Sequence, residues 1–288
     1  MHPHELVAIA EALFADGRLL SSKSCVEVIS AYSRKHLWRE SLRFFAGMQR
    51  VGLEPGVITC NIAISACARG QEWQQALGVL EDIALIALEP SAITCNSAIS
   101  ACERGTEPSW YLGLDLLAKM GRGGPEPNVI SHNAAISACS RCEEWQHALA
   151  IFAEMGRGKG VGPDGITFGA TITACSRGKE WQRALALLVE MRQRGLQSGV
   201  FTWNAAVGAC AKGEQWEHAL GILAEMQRGG PTPTVSTYNA AISACEKSAE
   251  WQQALSLLAE MLHRKVELNV VTFSAAISAC EKGEQWQR

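Results

Sequence analysis

Apolar positions in this chain recur at helical spacing, and the pattern itself repeats. Trp73, Ala76, Leu77 and Leu80 stand at i, i+3, i+4 and i+7, with Gln74, Gln75, Glu81 and Asp82 on the other side. The same stripe returns as Trp251, Ala254, Leu255 and Leu258, and each predicts an amphipathic helix. Ahead of each stripe lies a second kind of segment. Over residues 59–69, Ala63, Ile64, Ala66 and Cys67 form an apolar face of small residues, which lets paired helices approach closely. Gly70, Gly105, Gly178, Gly213 and Gly283 follow such segments and are expected to end them in the left-handed conformation. Prolines 55, 90, 125, 127 and 163 then stop the second helix and turn the chain back. Each unit therefore reads as a helical hairpin followed by a short turn.

The beat is regular. Cysteines at 67, 102, 139, 175, 210, 245 and 280 are separated by 35, 37, 36, 35, 35 and 35 residues, and tryptophans 38, 73, 110, 145, 181, 216, 251 and 286 keep step. A fixed period of roughly 20–50 residues predicts a solenoid, whose units are too small to bury their own cores and stack on their neighbours. The 288 residues would otherwise suggest about two domains. The period replaces that expectation with one all-α array of stacked helix-turn-helix units. Residues 1–21 read as the second helix of a partial unit, Glu5 to Ala15, without an Arg-rich or apolar leader.

Composition narrows the function classes. With 48% hydrophobic and 19% charged residues the chain is a folded protein, and no run approaches the roughly 18 apolar residues of a membrane span. Of eleven cysteines, seven occupy one equivalent place per unit, a packing position. Cys25, Cys60 and Cys95 stand where other copies have His132, Phe168, Trp203, Tyr238 and Phe273, an interchange that means space-filling. Thiols used this way suit a reducing compartment. Only Cys139 and Cys142 have a spacing suited to metal or redox chemistry, and they lack a partner pair. Residues 156–160 lack the strand and spacing of a phosphate-binding loop and read as a mobile turn. No nucleophile, acid/base or metal constellation stands out, and no His is followed two residues later by the Glu of a zinc deaminase. The chain is read as a non-enzyme without cofactor or small-molecule substrate.

Val57-Ile58-Thr59-Cys60-Asn61, Val235-Ser236-Thr237-Tyr238-Asn239, second helices such as Ala254 to Met261 and the closing prolines together resemble the pentatricopeptide repeat (PPR) family, over the whole chain. The rival tetratricopeptide pattern has a period of 34 and its Trp in the first helix. Here the period is 35 and the Trp opens the second helix. Beginning each unit four residues before the Asn gives repeats 22–56, 57–91, 92–128, 129–164, 165–199, 200–234 and 235–269, then a partial one over 270–288. Two copies run long, around 106–109 and 156–162.

The resemblance implies a right-handed superhelix that binds single-stranded RNA at roughly one base per repeat, read by two or three side chains. It assigns base selection to Asn61 with Ser91, Asn96 with Asn128, Asn133 with Asp164, Asn204 with Thr234 and Asn239 with Asn269, and to Ser274 in the last unit. These pairs imply a pyrimidine-rich target, with uracil opposite Asn133 and Asp164. Val26 with Gly56, and Gly169 with Gly199, offer no polar side chain and read as spacers. The alternative for the recurring Asn is a helix-start cap copied by duplication. The resemblance also assigns Ile58, Ile93, Ile130, Ile166, Phe201 and Val271 to sandwich the bases; Lys23 and Ser236 depart from that pattern. It places the protein in an organelle, chloroplast or mitochondrion, acting by occupancy in RNA processing, stability or translation. A protein-binding helical scaffold is the other reading.

The formal net charge of −3 runs against phosphate binding, but the distribution favours it. Arg34, Arg69, Arg104, Arg141, Arg177, Lys212, Lys247 and Lys282 place one cation at the end of every first segment, while Glu81, Asp82, Glu190 and Glu260 sit on second segments. Those from Arg69 onwards are candidate phosphate contacts. Their other role is to complement the negative end of the helix.

Overall fold

The computed structural model describes residues 22–50, 52–86, 88–104, 109–157 and 162–283. Among these residues there are fifteen helices and no strand, so the fold is an all-α repeat. The first helices of the units are α1 (Ser22–Arg34), α3 (Val57–Arg69), α5 (Ala92–Arg104), α7 (Val129–Arg141), α9 (Gly165–Arg177), α11 (Val200–Lys212), α13 (Val235–Lys247) and α15 (Val270–Lys282). The second helices are α2 (Trp38–Arg50), α4 (Trp73–Leu85), α6 (Trp110–Gly123), α8 (Trp145–Arg157), α10 (Trp181–Gln193), α12 (Trp216–Gly229) and α14 (Trp251–His263). The expected helix over Glu5 to Ala15, Gly105, Trp286 and most of the two lengthened turns lie outside the described residues. Gly156 and Arg157, expected in a loop, instead form the last residues of α8.

The chain divides into two compact units, up to Ala138 and from Cys139. Within the first, α1, α3 and α5 pack in sequence, and α2, α4 and α6 each pack on their own first helix. Within the second, α9, α11, α13 and α15 do the same, with α10, α12 and α14 bridging successive first helices. The small-residue face explains the close packing of first helices: Ala63, Ile64 and Cys67 in α3, and Ala241, Ile242, Ala244 and Cys245 in α13, are wholly buried. Burying each isoleucine contributes roughly 1.5–3 kcal/mol. Aromatics at the alternating position fill the space between first and second helices, as Phe168 and Tyr238 do in the core of the second unit. Cys25 and Cys60 take that place in the first.

The end of the first helix differs from expectation. Gly70 and Gly178 lie at φ −78° and −73°, ordinary right-handed values. The left-handed residue is the next one, and among the described residues it is not glycine after a first helix: His36, Gln71, Glu143, Lys179, Glu214 and Ala249 have φ between 58° and 62°. Each opens a Schellman turn in which the following N–H donates back to a carbonyl five residues earlier, as Glu72 does to Cys67 at 3.0 Å and Glu250 to Cys245 at 2.9 Å. Glycine precedes this residue for a different reason. A Cβ at Gly70, Gly178, Gly213 or Gly283 would collide with the indole of Trp38, Trp145, Trp181 or Trp251. The periodic Trp and the periodic Gly are therefore one feature, an indole laid on the next first helix.

A left-handed non-glycine residue costs about 1–2 kcal/mol, partly offset by glycine's greater freedom in the unfolded chain. Ala249→Gly should accordingly stabilise the second unit by about 0.5–1 kcal/mol. Chemical denaturation would read this as a higher midpoint at unchanged slope, and an unchanged or lower midpoint would refute it.

Candidate functional site

The last residue of each repeat proves to be the N-cap of the next first helix. Asp164 accepts from the Thr167 N–H at 2.8 Å and Asn269 from the Thr272 N–H at 3.0 Å, and both close a capping box. Ser91 accepts from the Thr94 N–H at 3.2 Å and Asn128 from the Ser131 N–H at 3.1 Å. The recurring Asn is therefore not the helix-start cap. It lies at the fifth helical position, with helices beginning at Val57, Ala92, Val200 and Val235 for Asn61, Asn96, Asn204 and Asn239.

The hydroxyl at the third helical position, to which sequence reading gave no role, joins the two. Thr94 donates its proton to Asn61 Oδ1 at 2.5 Å, Ser131 to Asn96 at 2.6 Å, Thr237 to Asn204 at 2.6 Å and Thr272 to Asn239 at 2.7 Å. The same hydroxyls accept from the backbone N–H of Ser91, Asn128, Thr234 and Asn269 at 3.0, 3.1, 2.9 and 3.3 Å. In the two Asn–Asn pairs the amides also meet directly, Asn96 Nδ2 donating to Asn128 Oδ1 and Asn239 Nδ2 to Asn269 Oδ1, each at 3.3 Å. The sequence signal was present as a Ser, Thr, Asn or Asp followed three residues later by Ser or Thr. Asn133 lies in the first unit and Asp164 in the second. Ser274 is exposed on α15.

At the two spacer repeats this arrangement is missing. Gly169 is overlain by Thr202, whose Oγ1 would stand 2.9 Å from an added Cβ. Thr59, facing Val26 and Gly56 in sequence register, keeps a buried hydroxyl without a hydrogen-bond partner.

Ile58, Ile93, Ile130, Ile166, Phe201 and Val271 are all between 60% and 70% exposed, beside neighbours that are wholly buried. In the first unit one groove of about 340 Å³ brings three classes of candidate together. Ile93 and Ile130 stand on it with Asn96, and Arg69 and Arg104 line it too, along with Ser65, Ser97 and Ser100. Apolar surface for a flat ring, an amide and two cations thus share one concavity.

The cations close their helices as expected, and some do more. Arg69 Nη1 donates to the Ser33 carbonyl at 2.9 Å and Arg177 Nη1 to the Ser140 carbonyl at 3.2 Å, so each neutralises the C-terminal end of the preceding first helix. Lys282 pairs with Glu246 at 3.0 Å, which places an acid on a first helix. Arg104, Arg141, Lys212 and Lys247 are exposed. Although exposed overall, the Lys212 ammonium is pushed down from its ordinary range by partial desolvation, then by Arg177, Lys247 and Lys179, with Glu143 opposing. A run of cations one repeat apart is close enough to feel mutual repulsion, which a bound anion would relieve.

Seven of the eleven cysteines are packed as protonated thiols. Burial pushes the thiols of Cys67, Cys139 and Cys210 up to about 12 and those of Cys60, Cys102, Cys175 and Cys245 to about 11, so none is a thiolate at neutral pH. Among the described residues no group of three His, Cys, Asp or Glu side chains could hold a metal, and no helix is long and apolar enough to cross a membrane.

Residues 43–104, 115–177 and 150–213 match the sequence pattern of the Pentatricopeptide repeat domain, residues 198–247 and 233–282 that of the PPR repeat family, and residues 27–53 that of the PPR repeat. The chain belongs to the pentatricopeptide repeat family. Comparison with curated proteins returns no match. Among solved structures, the pentatricopeptide repeat protein PPR10 from maize is 25% identical with a TM-score of 0.67. That match covers 88% of this chain and 36% of the maize chain. The PPR domain of Arabidopsis thaliana protein-only RNase P 1, solved in complex with tRNA, is 15% identical with a TM-score of 0.54. There the match covers 73% of this chain and all of that domain, a likeness of fold.

Proposed function

We propose that this PPR chain binds single-stranded RNA at about one base per repeat, prefers pyrimidines, and acts in an organelle by occupying a transcript segment. The observation that carries the reading is the groove in which Ile93, Ile130, Asn96, Arg69 and Arg104 converge. An exposed aliphatic pair accepts the faces of a base, an amide meets its edge, and guanidinium groups neutralise phosphate. Family membership supports both the ligand class and the cellular setting. A protein-binding scaffold has no need for polar pairs alternating with exposed aliphatic residues, as Asn61/Ser91 does with Ile58 and Asn96/Asn128 with Ile93.

Selection from a random RNA pool tests this. Retained RNAs should be single-stranded and pyrimidine-enriched opposite the Asn61/Ser91, Asn96/Asn128, Asn204/Thr234 and Asn239/Asn269 repeats, with no preference opposite Val26/Gly56 and Gly169/Gly199. Equal competition by duplex RNA, or a pool with no positional preference, would overturn the reading.

A further inference from the structure

The amide of a base-reading Asn is ambiguous until something fixes it, because a half-turn exchanges its acceptor for its donors. Four repeats hold that amide in the same way. Thr94, Ser131, Thr237 and Thr272 each reach back across 33 to 35 residues to the Asn carbonyl of the preceding repeat. Each of these hydroxyls already accepts a backbone N–H from the capping residue, so its single proton is available to donate. With its carbonyl engaged by the hydroxyl, the amide is left with its NH2 to offer, one N–H of which reaches the capping Asn in the two Asn–Asn pairs.

We propose that the third-position hydroxyl of α5, α7, α13 and α15 is a positioning residue for base recognition by the preceding repeat, fixing Asn61, Asn96, Asn204 and Asn239 as hydrogen-bond donors. The proposal rests on the RNA-binding reading above. It makes recognition a three-residue device in which the capping residue and the Asn communicate through one hydroxyl. Asn128 shows the coupling, since its Oδ1 lies 3.2 Å from the Ser131 hydroxyl and 3.3 Å from Asn96 Nδ2. Changing the capping side chain therefore changes the competition for the proton that orients the Asn. Thr59 shows the converse, a third-position hydroxyl left unpartnered where Val26 and Gly56 replace the Asn and the cap.

The competing account makes these hydroxyls cap partners only, and the base-preference ratio separates the two. In competition binding with RNAs varied only opposite residues 92–128, the native protein should discriminate by about fivefold, the worth of one net hydrogen bond. Ser131→Ala should reduce that ratio to below about twofold while preference at other positions is kept, and Ser131→Thr, the residue found at 94, 237 and 272, should retain it. A Ser131→Ala protein that binds all sequences more weakly with its ratio intact would show a cap and nothing more. A native protein without discrimination at this position would overturn the RNA-reading proposal itself. As a second route, installing Val26→Asn with Gly56→Asn should create discrimination opposite residues 22–56, and adding Thr59→Val should abolish it. Equal discrimination with and without the Thr59 hydroxyl would overturn the positioning role.

Discussion

Raising the pH from 8 to 10 should steadily destabilise this protein at room temperature. Seven thiols are wholly or almost wholly buried and keep their protons to about 11 or 12, because desolvation penalises the thiolate. In the unfolded chain the same groups ionise at roughly 8.5–9. The unfolded state therefore binds fewer protons above that value, and stability falls as pH rises. Below it the contribution is fully present. Each thiol so held costs about 1.4 kcal/mol per pH unit beyond the unfolded pKa, so the three in the first unit and the four in the second each take a large share of the roughly 5–15 kcal/mol that holds a domain folded. Helical circular dichroism followed against pH under reducing conditions should show a cooperative loss between about pH 9 and 10.5. Replacing Cys175, Cys210 and Cys245 by Ala should make the pH dependence shallower by about three protons, although the variant starts less stable at neutral pH. A thermal midpoint that stays level from pH 8 to 10 would mean that these positions admit water and are not the packing sites described.

The period made the helices legible, and with them the packing place of every periodic Cys. What one repeat shows by itself was read well. What arises between repeats was not. Gly70 and Gly178 were expected to supply a left-handed turn, a role that local rules assign to glycine, whereas an indole 32 or 33 residues earlier in the chain is what requires them. Thr94 and Ser131 appeared in the repeat motif with no function because their partners are the Asn of another repeat. Likewise Arg69 was legible as a cation at a helix end, but not that the helix it neutralises is α1 as well as its own. Stacking creates these contacts, and only a window of nearly a full period or more contains both partners.

Replacing Arg69 and Arg104 together by Gln should lower the slope of log affinity against log salt by about 1.4, at about 0.7 per phosphate on a single strand. Both line the groove that holds Asn96, Ile93 and Ile130, so a backbone whose base enters there passes within their reach. The bond from Arg69 to the Ser33 carbonyl does not exhaust it, since a guanidinium has five N–H donors and this one uses a single Nη1 hydrogen there. The two arginines should therefore separate when changed singly. Arg69→Gln should reduce both the salt slope, by about 0.7, and stability, by about 0.3–1 kcal/mol for the lost helix-end charge. Arg104→Gln should reduce the slope by the same amount. In neither variant should base preference change, because phosphate contacts carry no sequence information. Affinity measured from 50 to 300 mM salt on RNAs differing at one position would decide it. A lowered thermal midpoint with an unchanged slope would leave the cations as helix-end caps, and RNA would then have to be held by the amides and the exposed aliphatic residues alone.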